Sequence, residues 1–502
     1  MAALLGIDLG TSAVKAVVID EQGQLLGVGS REIPMEMPAP GRAEQDPYGW
    51  WTSTVLAVRE ALRATQVDDI AGIGLDGHMH VGPLLDADLR PLGKAITWAD
   101  QRSSELIPEI EAEVGRDRFL SISGTRPAAG FMAPTLAWLA RHEPERLDAA
   151  AIFLMPKDYL RLRLTGEAAT DISDASATAL FDITARTWSL ELCTLLGVPE
   201  RILPPLLESA DIAGRLTNTA AVELGLRSGI PVVAGTADQP AQAVANGLLD
   251  PGTGSVTLGS GSQVFCTTDG PAFDPEGRVH TFCHAAPGRW YRLGATLAAG
   301  LSLRWLRDIL ALPASDPYAQ LDRLAAEVEP GADGLTFVPY LVGERSPIMA
   351  PLAQGSFVGL SLRHGQGHLA RAVLEGVACS VRATRDAVTD AGVGPDAWLA
   401  TGNGLASPLW RQILTDVFDE PLSYVAAPER SAVGSALIAG IGTGIYGSYE
   451  EAADAARHPL EPTEPDPLRA RSYDDIYERY LRRSRALLDE QARSADRPTD
   501  RG

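Results

Sequence analysis

A strand, a tight turn of glycine and small hydroxyl residues, and a second strand occur twice in this chain. The first copy is "GIDLGTSAVK", residues 6–15, and the second is "GSVTLGSGSQVFCTT", residues 254–268. Glycine accepts backbone angles that other residues resist, and small hydroxyls bond to nearby amides. Either stretch alone is therefore compatible with an ordinary turn or with a loop that faces a ligand. One device repeated about 250 residues along the chain points to two domains of related architecture. The length of 502 residues asks for the same division, because it exceeds what one hydrophobic core supports.

Local patterns fill in the elements. Residues 3–33 read as three short strands, "LLGID", "AVKAVVID" and "LLGVGSREI", with the turn "EQGQ" between the last two. Their β-branched content and glycine turns predict antiparallel hairpins. A helix follows in "DPYGWWTSTVLAVREALRAT", where Asp46 and Pro47 have the chemistry of a cap and a first-turn proline. A strand at "IAGIGL", a loop "DGHMH" and a strand at "VGPLLD" come next, then helical patterns at "APTLAWLARH" and "KDYLRLRLTG". Beyond residue 230, "IPVVAGTADQ" is an apolar run ending in a loop. "HLARAVLEGVACSVRATRDAV" and "SPLWRQILTDVF" have helical spacing around the strand "AWLATGNG". The tail predicts a helix starting at a capping box of Ser472 and Asp475, with Ile476, Tyr477, Tyr480, Leu481, Leu487 and Leu488 on its apolar face. The polar last ten or so residues are expected to fray.

Several classes of function are excluded. There are 65 acidic residues against 43 Lys and Arg, a net charge of −22 that repels nucleic acid. Cys193, Cys266, Cys283 and Cys379 are widely spaced without a C-x-x-C pair, which argues against a zinc site or a disulfide framework and for free thiols. The N-terminal apolar run is broken at Asp8 and lacks a basic region, and no stretch is long and apolar enough to span a membrane, so a cytoplasmic setting is expected. "GIGLDG", residues 72–77, fits G-x-G-x-x-G, yet a strand-like run from Val81 to Asp86 follows where a dinucleotide fingerprint needs a helix. P-loop, zincin and hydrolase-elbow motifs are absent from the sequence.

Four glycine-rich stretches sit at predicted strand ends: "DLGTS" (8–12), "GTAD" (235–238), "LGSGS" (258–262) and "TGNGLAS" (401–407). Exposed amides with adjoining hydroxyls form nests that bind anions without net positive charge, which reconciles a phosphate ligand with an acidic protein.

With these stretches in view the chain resembles the FGGY family of carbohydrate kinases, within the actin-like ATPase superfamily, and is most similar there to the xylulokinases. The resemblance runs from "GIDLGTS" to about residue 445 and rests on "PGRAEQDPYGWW" (40–51), "MPKDYLRLRLTGE" (155–167), "FVPYLVGERSP" (337–347) and "GSFVGLSLRHGQGHLARAVLEG" (355–376), which includes the signature's final acid Glu375. It implies an α/β fold of two actin-like, ribonuclease H-like domains flanking an ATP cleft. Residues 1–245 would carry the sugar-binding elements; residues 246–502 would carry the nucleotide-binding elements and the terminal helix. It also implies ATP-dependent phosphorylation of a small ketose or polyol, D-xylulose foremost, with glycerol, ribulose or erythritol-like acceptors, or a non-catalytic sugar sensor, as the other readings. Asp238 matches the family's catalytic acid, the general base for the sugar hydroxyl. Asp8 matches the acid that orients Mg²⁺ through water. Thr11, Ser12 and Lys15 match the first phosphate hairpin; Gly259 and Ser260 match the second. Gly402, Asn403, Gly404 and Ser407 match the adenosine loop. Met79 and His80 match the substrate pair, with Asp100 and Gln239 also at the sugar, while His78 is read as structural. Domain closure is expected because phosphoryl transfer must exclude water from the γ-phosphate, and the family further implies a homodimer.

Three positions depart from the xylulokinase pattern. Gln239 stands where Asn is usual, Ala99 of "WADQR" replaces another Asn, and Thr135 replaces a signature Lys. All bear on the sugar pocket or its frame. An unpaired buried polar group there costs roughly 1–3 kcal/mol, so these positions bear on which hydroxyls are satisfied.

Overall fold

A computed structural model describes residues 2–65, 67, 69–80, 82–312, 315–392 and 394–495. Its contacts divide the chain into two compact units: residues 1–250, 267–291 and 428–457 form the first, and residues 251–266, 292–427 and 458–502 the second. The units interleave along the chain, whereas the sequence reading drew one linear cut after residue 245.

The strands β1 (Ala3–Leu9), β2 (Ala13–Asp20) and β3 (Leu25–Glu32) form the expected antiparallel meander. Helix α1 (Pro47–Arg63) starts where Asp46 and Pro47 predicted: the Asp46 side chain accepts from the Tyr48 amide and Pro47 leads the first turn. Strand β4 (Ile70–Gly77) contains the "GIGLDG" stretch, so its glycines serve a strand and not a strand-to-helix phosphate turn. Of the strand-like run that follows, Val81 lies outside the described residues, and only Leu84–Leu85 is extended in a sheet. Helices α2 (Met132–His142) and α3 (Pro156–Thr165), strand β5 (Pro231–Val233) and helix α4 (Asp238–Ala245) follow. Then come β6 (Thr253–Leu258), β7 (Ser262–Thr268), α5 (Gly300–Ile309), α6 (Gln366–Thr389), β8 (Ala397–Thr401), α7 (Pro408–Phe418), β9 (Leu422–Val425) and α8 (Arg430–Gly442).

The terminal helix α9 (Pro467–Ala495) begins five residues before the predicted Ser472 start. Asp466 is the true cap: its carboxylate accepts from the amides of Leu468 and Arg469, with Pro467 in the first turn. Ser472 lies inside the helix, where its hydroxyl donates to the Leu468 carbonyl. A Ser and an acid three residues apart satisfied the capping-box pattern without being a helix start, while an Asp-Pro pair upstream offered the stronger stop for the preceding chain. Residues 496–502, most of the tail expected to fray, lie outside the described residues.

Both sheets are built on one plan. In the first, the order β5-β4-β1-β2-β3 sets β1 antiparallel to β2 and parallel to β4. In the second, the order β7-β6-β8-β9 sets β6 antiparallel to β7 and parallel to β8. The two Gly/hydroxyl turns therefore join equivalent strands. In the first unit one sheet face packs Leu5, Ile7, Leu9, Ile73 and Leu75 against Trp50 and Val58 of α1. The other face packs Leu4, Val17 and Ile19 against Ala436 and Leu437 of α8. Continuous apolar strands are what a sheet covered on both faces requires, and each fully buried side chain contributes about 1.5–3 kcal/mol. In the second unit Glu375, the signature acid on α6, accepts from the Gly331 amide, Arg371 and the Tyr473 hydroxyl, which fastens α9 to α6.

Candidate functional site

Strand register alone gathers acids at one edge of the first sheet. Asp8, next to last in β1, pairs with Asp76, next to last in β4. Thr236 pairs with Asp76 from the far side, and Asp238 follows two residues later as the first residue of α4. The crowding is electrostatically visible. Burial, then the Asp8 charge, raises Asp238 to about 7, while hydrogen bonds from the Gln239 backbone and side chain pull it back. Burial raises Asp8 to about 6 against the opposing pull of an Asp76 hydrogen bond and Lys15. Burial and Asp8 push Asp76 well above the carboxylate range. Among the described residues Asp238 Oδ1 has no hydrogen-bond partner, which leaves one carboxylate oxygen open to accept a proton.

The first turn is tightly braced. The Thr11 hydroxyl accepts from Trp98 Nε1 at 2.8 Å, and the Thr11 carbonyl accepts from Gln45 Nε2 at 2.7 Å. Gln45 in turn accepts from Trp50 Nε1 at 3.1 Å. Ser12 is exposed at the tip. Lys15 lies opposite Asp8 in the hairpin, and its Nζ is 2.7 Å from Glu429 Oε2. Burial pulls the Lys15 ammonium down, but Glu429, Asp8 and Asp76 hold it above its ordinary value.

The "GHMH" loop leaves β4 beside this turn. The His78 amide donates to the Leu9 carbonyl, and its ring lies edge-on to Trp50 with centroids 5.8 Å apart. Burial lowers the His78 pKa to about 4, so it is a neutral ring in the core, in accord with its structural reading. Met79 and His80 are buried. His80 has φ of 88°, a strained value for a residue with a side chain, and its ring stacks on Phe131 at 3.9 Å. Its Nδ1 is 2.8 Å from the Ala177 carbonyl. A carbonyl only accepts, so Nδ1 carries a proton at this contact.

Asp100 behaves differently from its expected sugar contact. Its Oδ2 accepts from the Ala43 amide at 2.7 Å, and both oxygens accept from Arg102. With the residue 1% exposed, that carboxylate is committed to holding two loops together.

The segment 171–178, "DISDASAT", was missed by sequence reasoning. Ser173 Oγ accepts from the Ala237 amide and bonds the Thr236 hydroxyl, while Ala177 holds His80. One short segment thus positions both Asp238 and His80. Beneath it Lys157 Nζ lies 2.6 Å from Asp158, 3.0 Å from Asp171 and 3.5 Å from Asp174, all fully buried. The density of Ser, Thr and Asp was the available signal.

In the second unit Gly259 and Ser260 form the exposed tip of the β6–β7 turn. The Ser260 carbonyl accepts from Ala299 and Leu301, and the Gly259 carbonyl from Gly300, which docks the turn on the start of α5. Gly402 has φ of 89°, and a Cβ there would lie 2.4 Å from the Leu258 carbonyl oxygen, so only glycine fits. That close approach sets the exposed Asn403 and the neighbouring Gly404 beside the end of β6. The Ser407 hydroxyl caps α7 by accepting from Trp410 and also bonds Asp322, so its side chain is spent on the helix start.

Among the described residues no group of three or more His, Cys, Asp or Glu side chains has metal-ligand spacing, and all four cysteines are buried free thiols. No helix among them is long and apolar enough to cross a membrane.

Comparison with known proteins gives two family models: the N-terminal domain of the FGGY family of carbohydrate kinases matches residues 3–245, and its C-terminal domain matches residues 254–443. The chain is 36% identical over 486 residues to the xylulose kinase of Escherichia coli (strain K12), covering 96% of this chain and 99% of that one. It is 33% identical over 479 residues to the xylulose kinase of Bacillus subtilis (strain 168), covering 95% of each. Among solved structures, the xylulose kinase of Rhodospirillum rubrum superposes with a TM-score of 0.89 at 33% identity, covering 97% of this chain and 99% of that one.

Proposed function

The chain belongs to the FGGY family of carbohydrate kinases, and from that premise we propose that it transfers the γ-phosphate of ATP to D-xylulose, giving D-xylulose 5-phosphate. The observation that carries the substrate is the end-to-end likeness to xylulose kinases from several bacteria.

Asp238 is the general base. Its open Oδ1 accepts the proton of the attacking hydroxyl, and a pKa near 7 keeps a useful fraction ionised at neutral pH. Gln239 orients that carboxylate, and Met79 and His80 receive the sugar. Thr11, Ser12 and Lys15 in the first unit are phosphate-facing. In the second unit Gly259, Ser260, Gly402, Asn403 and Gly404 are nucleotide-facing through backbone groups. The Asp8 carboxylate, opposite a lysine already tied to Glu429, fits a divalent cation. Asp8 would hold Mg²⁺, which supplies charge neutralisation for the nucleotide phosphates.

The test is ADP release with Mg·ATP and a panel of D-xylulose, D-ribulose, glycerol and gluconate. D-xylulose is expected to give the highest kcat/KM. A higher value for another acceptor overturns the substrate, and release that ignores added sugar overturns the kinase reading.

A further inference from the structure

In the second unit the "GERSP" stretch, residues 343–347, buries an acid, Glu344, to 1% exposure. Its backbone is a fixed mount. The Glu344 amide donates to the Ala350 carbonyl at 2.9 Å, and the Ala350 amide returns the bond at 2.8 Å. Two residues on, the Ser346 amide donates to the Ala295 carbonyl at 2.9 Å, and the Thr384 hydroxyl of α6 donates to the Ser346 carbonyl at 3.2 Å. From this mount Glu344 Oε1 accepts from the Arg345 amide at 2.8 Å and from the Leu297 amide at 2.9 Å. The first bond is local. The second reaches the loop between the strand Trp290–Thr296 and α5. On that loop the second Gly/hydroxyl turn is docked: the Ala299 and Leu301 amides donate to the Ser260 carbonyl at 2.9 and 3.0 Å, and the Gly300 amide to that of Gly259 at 3.0 Å. The fit is backbone on backbone, since a Cβ on Gly300 would lie 2.5 Å from the Gly259 carbonyl oxygen. A trans peptide is planar, and its N–H points opposite to its C=O. Turning the Gly259 and Ser260 carbonyls toward α5 therefore aims the Ser260 and Gly261 amides away from it. The direction of those two amides is set by where residues 297–301 lie, and a Glu344 oxygen holds the first of them.

We propose that Glu344 is a positioning residue for the nucleotide phosphates: by holding the Leu297 amide it fixes the start of α5, and through it the direction of the Ser260 and Gly261 amides. The inference rests on the reading of the Gly259–Ser260 turn as nucleotide-facing. Backbone amides bind an anion well only when they converge on it, so a small rotation of the turn weakens the site without unfolding it. The bond to Leu297 needs an acceptor oxygen and not a charge. A glutamine, which keeps that oxygen at the same reach, can therefore stand in for the acid. An aspartate keeps the charge but is one methylene shorter, and it leaves Leu297 out of reach.

The test is calorimetric titration of Mg·ADP into the full-length protein, with steady-state kinetics alongside. Glu344→Ala is expected to weaken Mg·ADP about tenfold and to raise the KM for ATP by a similar factor, while the KM for D-xylulose stays within about twofold. Glu344→Gln is expected to stay within about threefold of the parent in both nucleotide readouts. Glu344→Asp is expected to weaken Mg·ADP several-fold, and it decides the matter if Glu344→Ala does not fold. Parent-like Mg·ADP affinity in a folded Glu344→Ala or in Glu344→Asp overturns the proposal. So does a Glu344→Gln as weak as the alanine variant, or a KM for D-xylulose that rises as much as that for ATP. Gly259→Val is the reference. A Cβ at Gly259 meets nothing nearer than the Gly261 carbonyl oxygen at 3.8 Å, so the added side chain is tolerated by the fold and crowds whatever faces the turn. If Gly259→Val leaves Mg·ADP binding intact, the nucleotide-facing reading of the turn fails, and the role of Glu344 falls with it. If Gly259→Val weakens binding and the Glu344 variants do not, the role of Glu344 alone fails.

Discussion

Gln239 donates its side-chain amide to the carboxylate of Asp238, the residue immediately before it in the first turn of α4. A donor to the ionised form favours that form, so this bond holds Asp238 below the value that burial and Asp8 alone would impose. Gln239→Ala is therefore expected to move the acidic limb of kcat/KM upward in pH. A base works only when ionised, so the variant should lose activity severalfold near pH 6 and recover most of it near pH 9. A pH–rate profile checks this; a loss equal at every pH would show that Gln239 acts on the sugar alone.

Asp238 itself couples activity to instability. Its folded value near 7 lies above its ordinary 3.8, so keeping it ionised in the fold is unfavourable. That penalty is absent below about pH 4, grows as the group ionises, and is full above about pH 7, on the order of 2–4 kcal/mol. Asp238→Asn is expected to cut kcat by about 10²–10⁴ with ATP binding retained, and to raise the melting temperature more at pH 8 than at pH 5. Turnover within tenfold of the parent would mean that another group is the base. A melting temperature lowered at pH 8 would refute the stored cost.

Much of this was legible in the sequence, and the remainder has physical reasons. The hairpins, α1 with its Asp46 cap, and the glycine turns are local features, written in neighbouring residues, and they stand where the pattern put them. Asp76 lies inside a failed dinucleotide motif, and its place beside Asp8, some 70 residues away, comes from strand register, which a linear pattern does not display. Asp100 shows the opposite: an acid beside a conspicuous motif, committed in three dimensions to Arg102 and Ala43. The interleaving of the units has the same origin, since α8 returns to the first sheet through glycines whose purpose appears only when the helix is in place.

The buried cation under segment 171–178 is a stability element. Lys157 is fully buried among Asp158, Asp171 and Asp174, and although burial pulls its ammonium down, the three acids hold it above its ordinary value. Lys157→Met keeps the length and removes the charge, stranding those carboxylates. The expected loss is about 3–5 kcal/mol, measured by urea unfolding at pH 7.5. Because the same segment holds Ser173 against Ala237 and Ala177 against His80, any folded fraction should also show a raised KM for the sugar. A loss below about 1 kcal/mol would mean that the cluster relaxes or takes up protons at no cost.

His284 sets an acid limit on the first unit. The residue is 1% exposed, its Nδ1 accepts from the Ala286 amide at 2.9 Å, and its ring lies edge-on to Tyr291. Burial lowers it from 6.5 to about 4. A folded value below the unfolded one means that the unfolded chain takes up the proton first. The stability tied to the neutral ring is therefore full above about pH 6.5 and is lost as the pH falls toward 4, on the order of 2–3 kcal/mol in all. His284→Asn keeps an acceptor near the Nδ1 position and cannot be protonated in this range. At pH 7.5 the variant should be the less stable protein through lost packing. Its deficit should narrow as the pH falls to 5 and close or reverse near 4.5. Urea unfolding of both proteins at pH 7.5, 6 and 5 measures that difference, and a deficit that stays constant across the series would show that His284 is protonated as readily in the fold as out of it.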